Sequence, residues 1–240
     1  MSETVQKIIE AAVAENRTAL MEHESKDLIA AYGIQSAQYG LANTPEEAVE
    51  IAQKIGFPVV CKIVSPDILH KTDAGGIKLN LNSDSEVEQA FSEIMENVKA
   101  YKADAQIVGI NVQQMAPAGI SEVIIGLTTD PQFGPALMFG LGGIFVEIYK
   151  DVSFRVCPIT EYDAREMIEE IKAYPILNGF RGRPKADVDT LVDILLKASQ
   201  LAVDFPQIDQ MDLNPIIVYE QGKGCAVVDA RIILKSEKAA

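Results

Sequence analysis

Apolar positions recur at helical spacing over residues 4–16 and roughly 22–32, and Gly33 closes the second of these two predicted helices. A short strand, Ile34–Tyr39, follows. Thr44 then stands as an N-cap, with Pro45 at the first helical position and Glu47 completing a capping box; Gly56 and Pro58 end that helix. Pro58 to Val64 reads Pro-Val-Val-Cys-Lys-Ile-Val, apolar at both odd and even positions apart from Lys62, the pattern of a strand covered on both faces. A loop, Ser65–Gly76, leads to a strand at Ile77–Leu81. Ser83 caps a helix running to about Ala103, and a strand covers Ile107–Met115. Strand and helix alternate through this half, as in α/β layers.

Beyond Ala116-Pro117-Ala118-Gly119 the texture changes. Strands near 121–128, 135–140, 144–149 and 152–157, separated by short turns, form an antiparallel meander. Thr160 caps a helix over about 161–173, and another spans about 187–203. Between them lies Asn178-Gly179-Phe180-Arg181-Gly182-Arg183-Pro184, a mobile phosphate-contacting flap or a solvated loop, with composition favouring the loop. Strands at 211–219 and 225–234 close the chain. There is no internal repeat. The fold class is α+β with α/β layering, in two lobes joined near residue 116 that leave a cleft between them.

Charge narrows the function. The 240 residues carry 35 acidic and 21 basic side chains, a formal net charge of −14. Such a surface repels phosphate backbones, which argues against nucleic acid and anionic membranes as partners. A protein of this charge that binds nucleotide must gather its few cations locally or recruit a metal. The N-terminus is an amphipathic helix and not a leader peptide, and no apolar run approaches the roughly 20 residues of a membrane span. A cytoplasmic protein is expected. Cys61, Cys157 and Cys225 each sit in an apolar strand-like run and read as small buried hydrophobes.

The C-terminal hairpin holds the densest chemistry. Alternation places Asp212 and Asn214 on one strand face, with Met211 and Leu213 opposite. A four-residue loop, Glu220–Lys223, pairs Tyr219 with Gly224 and so brings Asn214 opposite Asp229. An amide oxygen facing a carboxylate suits Mg²⁺, which takes few protein ligands and completes its shell with water and phosphates. The competing reading is a polar pair on a solvated face. What tips the balance is that Asp229 follows the apolar run Ala226-Val227-Val228, where an unpaired carboxylate is costly. Pro215 removes a ladder donor, which suggests a sheet edge or a bulge.

Lys62 sits at an exposed edge or is desolvated against an anion. The anion reading gains from Gly75 and Gly76, whose backbone N–H groups are candidates for approaching phosphates. His70 lies in the same loop; a lone loop histidine is usually solvated, yet a neutral imidazole oriented by a carboxylate is a competent phosphoryl acceptor. Arg155, in a strand behind Glu147 and Asp151, is a candidate phosphate clamp. Gln113, Gln114 and Met115 end a strand where an adenine would meet backbone edges, and Glu122 is placed to accept from ribose hydroxyls.

These segments resemble the ATP-grasp β subunit of ADP-forming acetyl-CoA and acyl-CoA synthetases, relatives of succinyl-CoA synthetase. The resemblance is carried by PVVCKIVSPDILHKTDAGGIKLNL, VQQMAPAGISEVIIGLTTDPQFGPALMFGLGG, DVSFRVCPI and MDLNPIIV with AVVDAR, and runs from about residue 20 to 236. It implies an ATP-grasp fold with ATP or ADP in the cleft: an N-terminal helix over 1–20, a first lobe over 21–115 that includes a phosphohistidine loop at 65–76, and a second lobe over 116–240. It also implies that Lys62 contacts nucleotide phosphates, Gln113 to Met115 bind adenine, Glu122 lies near the ribose, and Asn214 and Asp229 bind Mg²⁺. Asp212 would hold a phosphohistidine and His70 would be phosphorylated. In the family, acyl-CoA and phosphate yield acyl phosphate and CoA on an α subunit. The phosphate then passes to an α-subunit histidine, to the β-subunit histidine and to ADP. This chain has no strand-led GxGxxG, so it resembles a separate β subunit that needs a CoA-binding α subunit, in an α₂β₂ heterotetramer. Rival readings are an ATP-grasp carboxylate ligase without a phosphohistidine, indifferent to loss of His70, and a non-catalytic nucleotide sensor that forms no phosphoenzyme.

Overall fold

The computed structural model describes residues 2–68, 70–143, 146 and 148–236. They form two compact units: Ala37–Ala116, and Met1–Ser36 together with Pro117–Ala240. The change near residue 116 is therefore a boundary, but residues up to 36 belong with the C-terminal half and make neither a separate helix nor the start of the first lobe. The cause is edge pairing. Leu20 donates its N–H to the Ile232 carbonyl at 3.0 Å, and Leu234 donates to Thr18 at 2.6 Å. Val5, Ile9, Ala12, Leu28, Ile29 and Ile34 join the core of that unit.

In the unit Ala37–Ala116, strands β1 (Tyr39–Ala42), β2 (Val59–Val64), β3 (Ile77–Leu81) and β4 (Gly109–Gln114) form a sheet ordered β1-β4-β2-β3. All three pairings are antiparallel. Helices Pro45–Ile55 and Asp84–Tyr101 cover one face, packing Ala48, Ala52, Ile94 and Val98 on Val59, Cys61, Ile63 and Val112. Their N-caps are those the sequence marks: Thr44 accepts from the Glu47 N–H at 3.2 Å and Ser83 from the Glu86 N–H at 3.3 Å. The first strand lies later than its apolar pattern predicts. Within it Gly40 packs close to the covering helix, where a Cβ would stand 2.9 Å from the Ile51 side chain.

In the other unit, β5 (Ser121–Asp130), β6 (Gly134–Leu141), β7 (Val152–Val156), β8 (Ile208–Val218), β9 (Cys225–Val227) and β10 (Ala230–Leu234) make a six-stranded sheet ordered β10-β8-β5-β6-β7, with β9 paired to β8. The meander β5-β6-β7 is antiparallel as its turns predict. Of the strand expected at 144–149, residues 144, 145 and 147 lie outside the described residues, and 148–149 form a turn. Helices Glu161–Glu169 and Val188–Asp204 pack against the sheet face bearing Val123, Ile125, Leu137, Phe139 and Leu213. The first of them stops at 169 and a short helix, Tyr174–Leu177, follows. Asp151 accepts the N–H groups of Lys172 and Ala173, both at 2.8 Å, at that break. No helix among the described residues is long and apolar enough to cross a membrane.

Candidate functional site

The hairpin register is the one its loop length predicts. Tyr219 donates to the Gly224 carbonyl at 3.1 Å, and further along Asn214 donates to the Asp229 carbonyl at 3.2 Å, so Asn214 and Asp229 are cross-strand neighbours. The Asp187 carboxylate takes the N–H of Gly224 at 2.8 Å and that of Thr190 at 3.2 Å, tying the turn to the start of helix Val188–Asp204. Strand β8 is internal, which excludes the edge reading of Pro215. The bulge reading holds: Val123 pairs with Ile216 and Ile125 with Leu213, so Asn214 and Pro215 together oppose Ile124.

Asp212 and Asn214 are exposed while Met211 and Leu213 are buried, so the two polar residues share the sheet face turned away from the helices. Asp212 lies opposite Gly126 on one side and Arg231 on the other. Desolvation by the surrounding protein raises its carboxyl above the usual range, the Asp229 charge adds to this, and Arg231 opposes it. A face that offers an amide oxygen and two mutually repelling carboxylates fits a divalent cation. Among the described residues no three His, Cys, Asp or Glu side chains gather as a metal-binding group. Asn214 and Asp229, neighbours across the hairpin, are the residues of this face that could hold one. Glu122, exposed and paired with Ile217, shares this face, since it precedes Gly126 by four residues on β5.

Arg155 does not join them. It is the partner of Leu137, on the helix-covered side, and it donates to Glu170 at 3.0 and 2.8 Å. That ion pair, on the opposite side of the sheet, corrects the expectation of a phosphate clamp. Glu147, expected behind it, lies outside the described residues. Arg181 stacks on Phe180 at 5.2 Å within its exposed loop.

In the unit Ala37–Ala116, Lys62 is only 6% exposed, and its strand β2 runs between β4 and β3. The edge reading therefore fails. Its β4 partner is Asn111, and Gln113 stands two residues along, both with zero exposure. Lys62, Asn111 and Gln113 thus form a buried polar row on the face away from the helices. Sequence reasoning passed over Asn111, although an amide inside the run Gly-Ile-Asn-Val was its signal. The amides expected to meet adenine are engaged: Gln114 donates to Gln38 at 2.8 Å and Met115 to Pro58 at 3.1 Å.

His70 is exposed on the 65–76 loop, within which Leu69 lies outside the described residues. The loop is anchored at both ends. Ile68 and Ala74 are each 3% exposed. Asp67 accepts the Gln106 N–H at 2.7 Å and Lys102 at 3.0 Å, and these hold its carboxyl below the usual range, the Gln106 bond first. Gly75 and Gly76 do not offer a phosphate cradle, because their N–H groups already donate to Thr72 at 3.0 Å and Lys71 at 2.8 Å. They close the loop instead: Gly75 has φ +62, and a Cβ on Gly76 would stand 2.5 Å from Ile63. The cysteines are free, Cys61 and Cys157 buried and Cys225 partly so; burial pushes the Cys61 thiol up to about 12.

Antiparallel α+β units of this kind, one with a desolvated strand lysine and one with an Asp-x-Asn-Pro strand facing a carboxylate, define a phosphate-handling protein of the ATP-grasp class. The ATP-grasp domain profile matches residues 11–234. The chain is 54% identical over 230 residues to the β subunit of acetate–CoA ligase (ADP-forming) II of Pyrococcus furiosus, covering 95% of this chain and 97% of the relative. A structure of acetyl-coenzyme A synthetase 1 of Ca. Korarchaeum cryptofilum with coenzyme A, Ca-AMPCP and HgCl⁺ superposes with a TM-score of 0.92 at 52% identity, covering 96% of this chain and 99% of that one. A second structure of that enzyme, with coenzyme A and Mg-AMPPCP and its phosphohistidine segment pointing towards the nucleotide-binding site, gives 0.85 at 48% identity and covers 96% and 100%. The chain belongs to the ATP-grasp family, in the branch of ADP-forming acetate–CoA ligase β subunits.

Proposed function

We propose that this chain is the nucleotide-handling β subunit of an ADP-forming acetyl-CoA or acyl-CoA synthetase, which passes phosphate from an acyl phosphate, through a histidine of a CoA-binding partner subunit and then His70, to ADP. The observation that carries the reading is the cross-strand placement of Asn214 against Asp229 with Asp212 on the same face. Mg²⁺, when bound, would supply positive charge to offset that of the phosphates. Asn214 and Asp229 would hold it, Lys62 would contact phosphate, and Glu122 would accept from the ribose. Asp212 accepts the N–H of the phosphorylated ring and so keeps the reacting nitrogen's tautomer fixed. In the ATP-forming direction the P–N bond of the ring-protonated phosphohistidine breaks and a P–O bond to the terminal phosphate of ADP forms. The imidazole leaves neutral, still carrying its other N–H. The acyl and CoA chemistry belongs to the partner, in an α₂β₂ assembly in the cytoplasm.

The test is to incubate the chain with γ-labelled ATP and Mg²⁺. Acid-labile, base-stable label in the wild type that is absent from His70→Ala supports the reading. Equal label in both overturns it, as does no label in either, the result a carboxylate ligase without a phosphohistidine or a sensor would give.

A further inference from the structure

One cation on the open face of the six-stranded sheet has no place in the roles above. Arg231 is exposed and sits directly across from Asp212 on β10. Among the described residues it makes no hydrogen bond and no close ion pair, whereas Arg17, Arg155 and Arg165 are each held by carboxylates. With Asp212, Gln210, Thr128 and Ile233 it lines a depression of about 250 Å³. The strands of this sheet bring no other lysine or arginine to that face among the described residues, while Glu122, Asp212 and Asp229 bring carboxylates.

A nucleotide polyphosphate entering such a surroundings meets net negative charge. One divalent cation at Asn214 and Asp229 offsets only part of it. A guanidinium with its donor fork unfilled matches two phosphate oxygens at once. Charge is spread over the equatorial oxygens of a phosphoryl group in flight, and a fixed cation beside them acts where it is needed most.

We propose that Arg231 is a phosphoryl-binding residue of this site, holding two non-bridging oxygens of the group in transfer beside the metal ligands. The inference rests on the function proposed above. Single-turnover labelling with γ-labelled ATP and Mg²⁺ tests it on the full chain. Arg231→Gln is expected to slow phosphoenzyme formation by about 10²–10³-fold, with nucleotide affinity altered by less than about tenfold and the thermal midpoint unchanged. Arg231→Lys is expected to recover part of the rate, since a point charge replaces the fork. Labelling of Arg231→Gln at the wild-type rate overturns the proposal, as does a loss confined to nucleotide affinity. A wild-type chain that takes no histidine label overturns the underlying reading and this proposal with it.

Discussion

Gly76 has no room for a methyl group: a Cβ would stand 2.5 Å from Ile63 and 3.1 Å from the Lys71 carbonyl. Gly76→Ala is expected to cost about 1–3 kcal/mol in urea unfolding through overpacking, and a variant as stable as the wild type would show that the loop yields. The same glycine shows what one residue reveals in sequence. That 75 and 76 are glycines in a loop beside Lys62 was legible. Their service to the loop's own carbonyls was not, because an N–H is committed or free only once the loop has closed. Arg155 is a parallel case. Alternation tells which residues share a face, but which face the helices cover is decided by the helix Glu161–Glu169, whose C-cap is Glu170. N-caps are the opposite extreme, since Thr44, Ser83 and Thr160 each accept from the amide three residues on, and local sequence suffices.

Between elements, the link joining the first helix, Ser2–Ala14, to the second, Glu22–Ala31, is a clip at a bend. Arg17 donates to both oxygens of Glu24, at 2.8 and 2.7 Å, and Met21 donates its N–H at 2.7 Å. Burial pushes the Glu24 carboxyl up, but the Arg17 bonds and the Met21 N–H outweigh it, and the net shift is downward. A carboxyl whose folded value is depressed contributes stability above its unfolded value, about 4.3, and loses it as pH falls through the folded one. Glu24→Gln is therefore expected to lower stability by about 1–3 kcal/mol at pH 7, with the gap to wild type closing below about pH 4. Urea midpoints across that range check it; a gap that persists in acid contradicts the assignment. At this scale the hairpin was readable because a four-residue turn counts out its own register. The helix expected over 161–173 was not, since its break depends on Asp151 capping amides from a distant strand end.

For the molecule, the first 36 residues are the part that sequence misplaced. The boundary near 116 carries a local Pro-Gly signal, whereas the return of Thr18–Leu20 to the edge of β10 joins opposite ends of the chain and leaves no local mark. Removing residues 1–20 would strip Val5, Ile9, Ala12 and Leu20 from the core. The larger of these are worth about 1.5–3 kcal/mol each, and an unprotected strand edge would be opened as well. The truncated chain is expected to unfold at a markedly lower temperature and to aggregate, as size-exclusion chromatography and thermal scans would report. A truncated chain that stays monodisperse and melts with the full one would contradict this.

The bulge at Asn214 and Pro215 resets the phase of β8. Met211 and Leu213 face the core before it, Ile216 and Val218 after it, so odd positions give way to even ones in mid-strand. One strand thereby answers to two masters on separate clocks. The portion towards β10 keeps time with the open face that carries Asp212 and the portion towards β9 with packing, so a change of side chain on one side leaves the beat of the other.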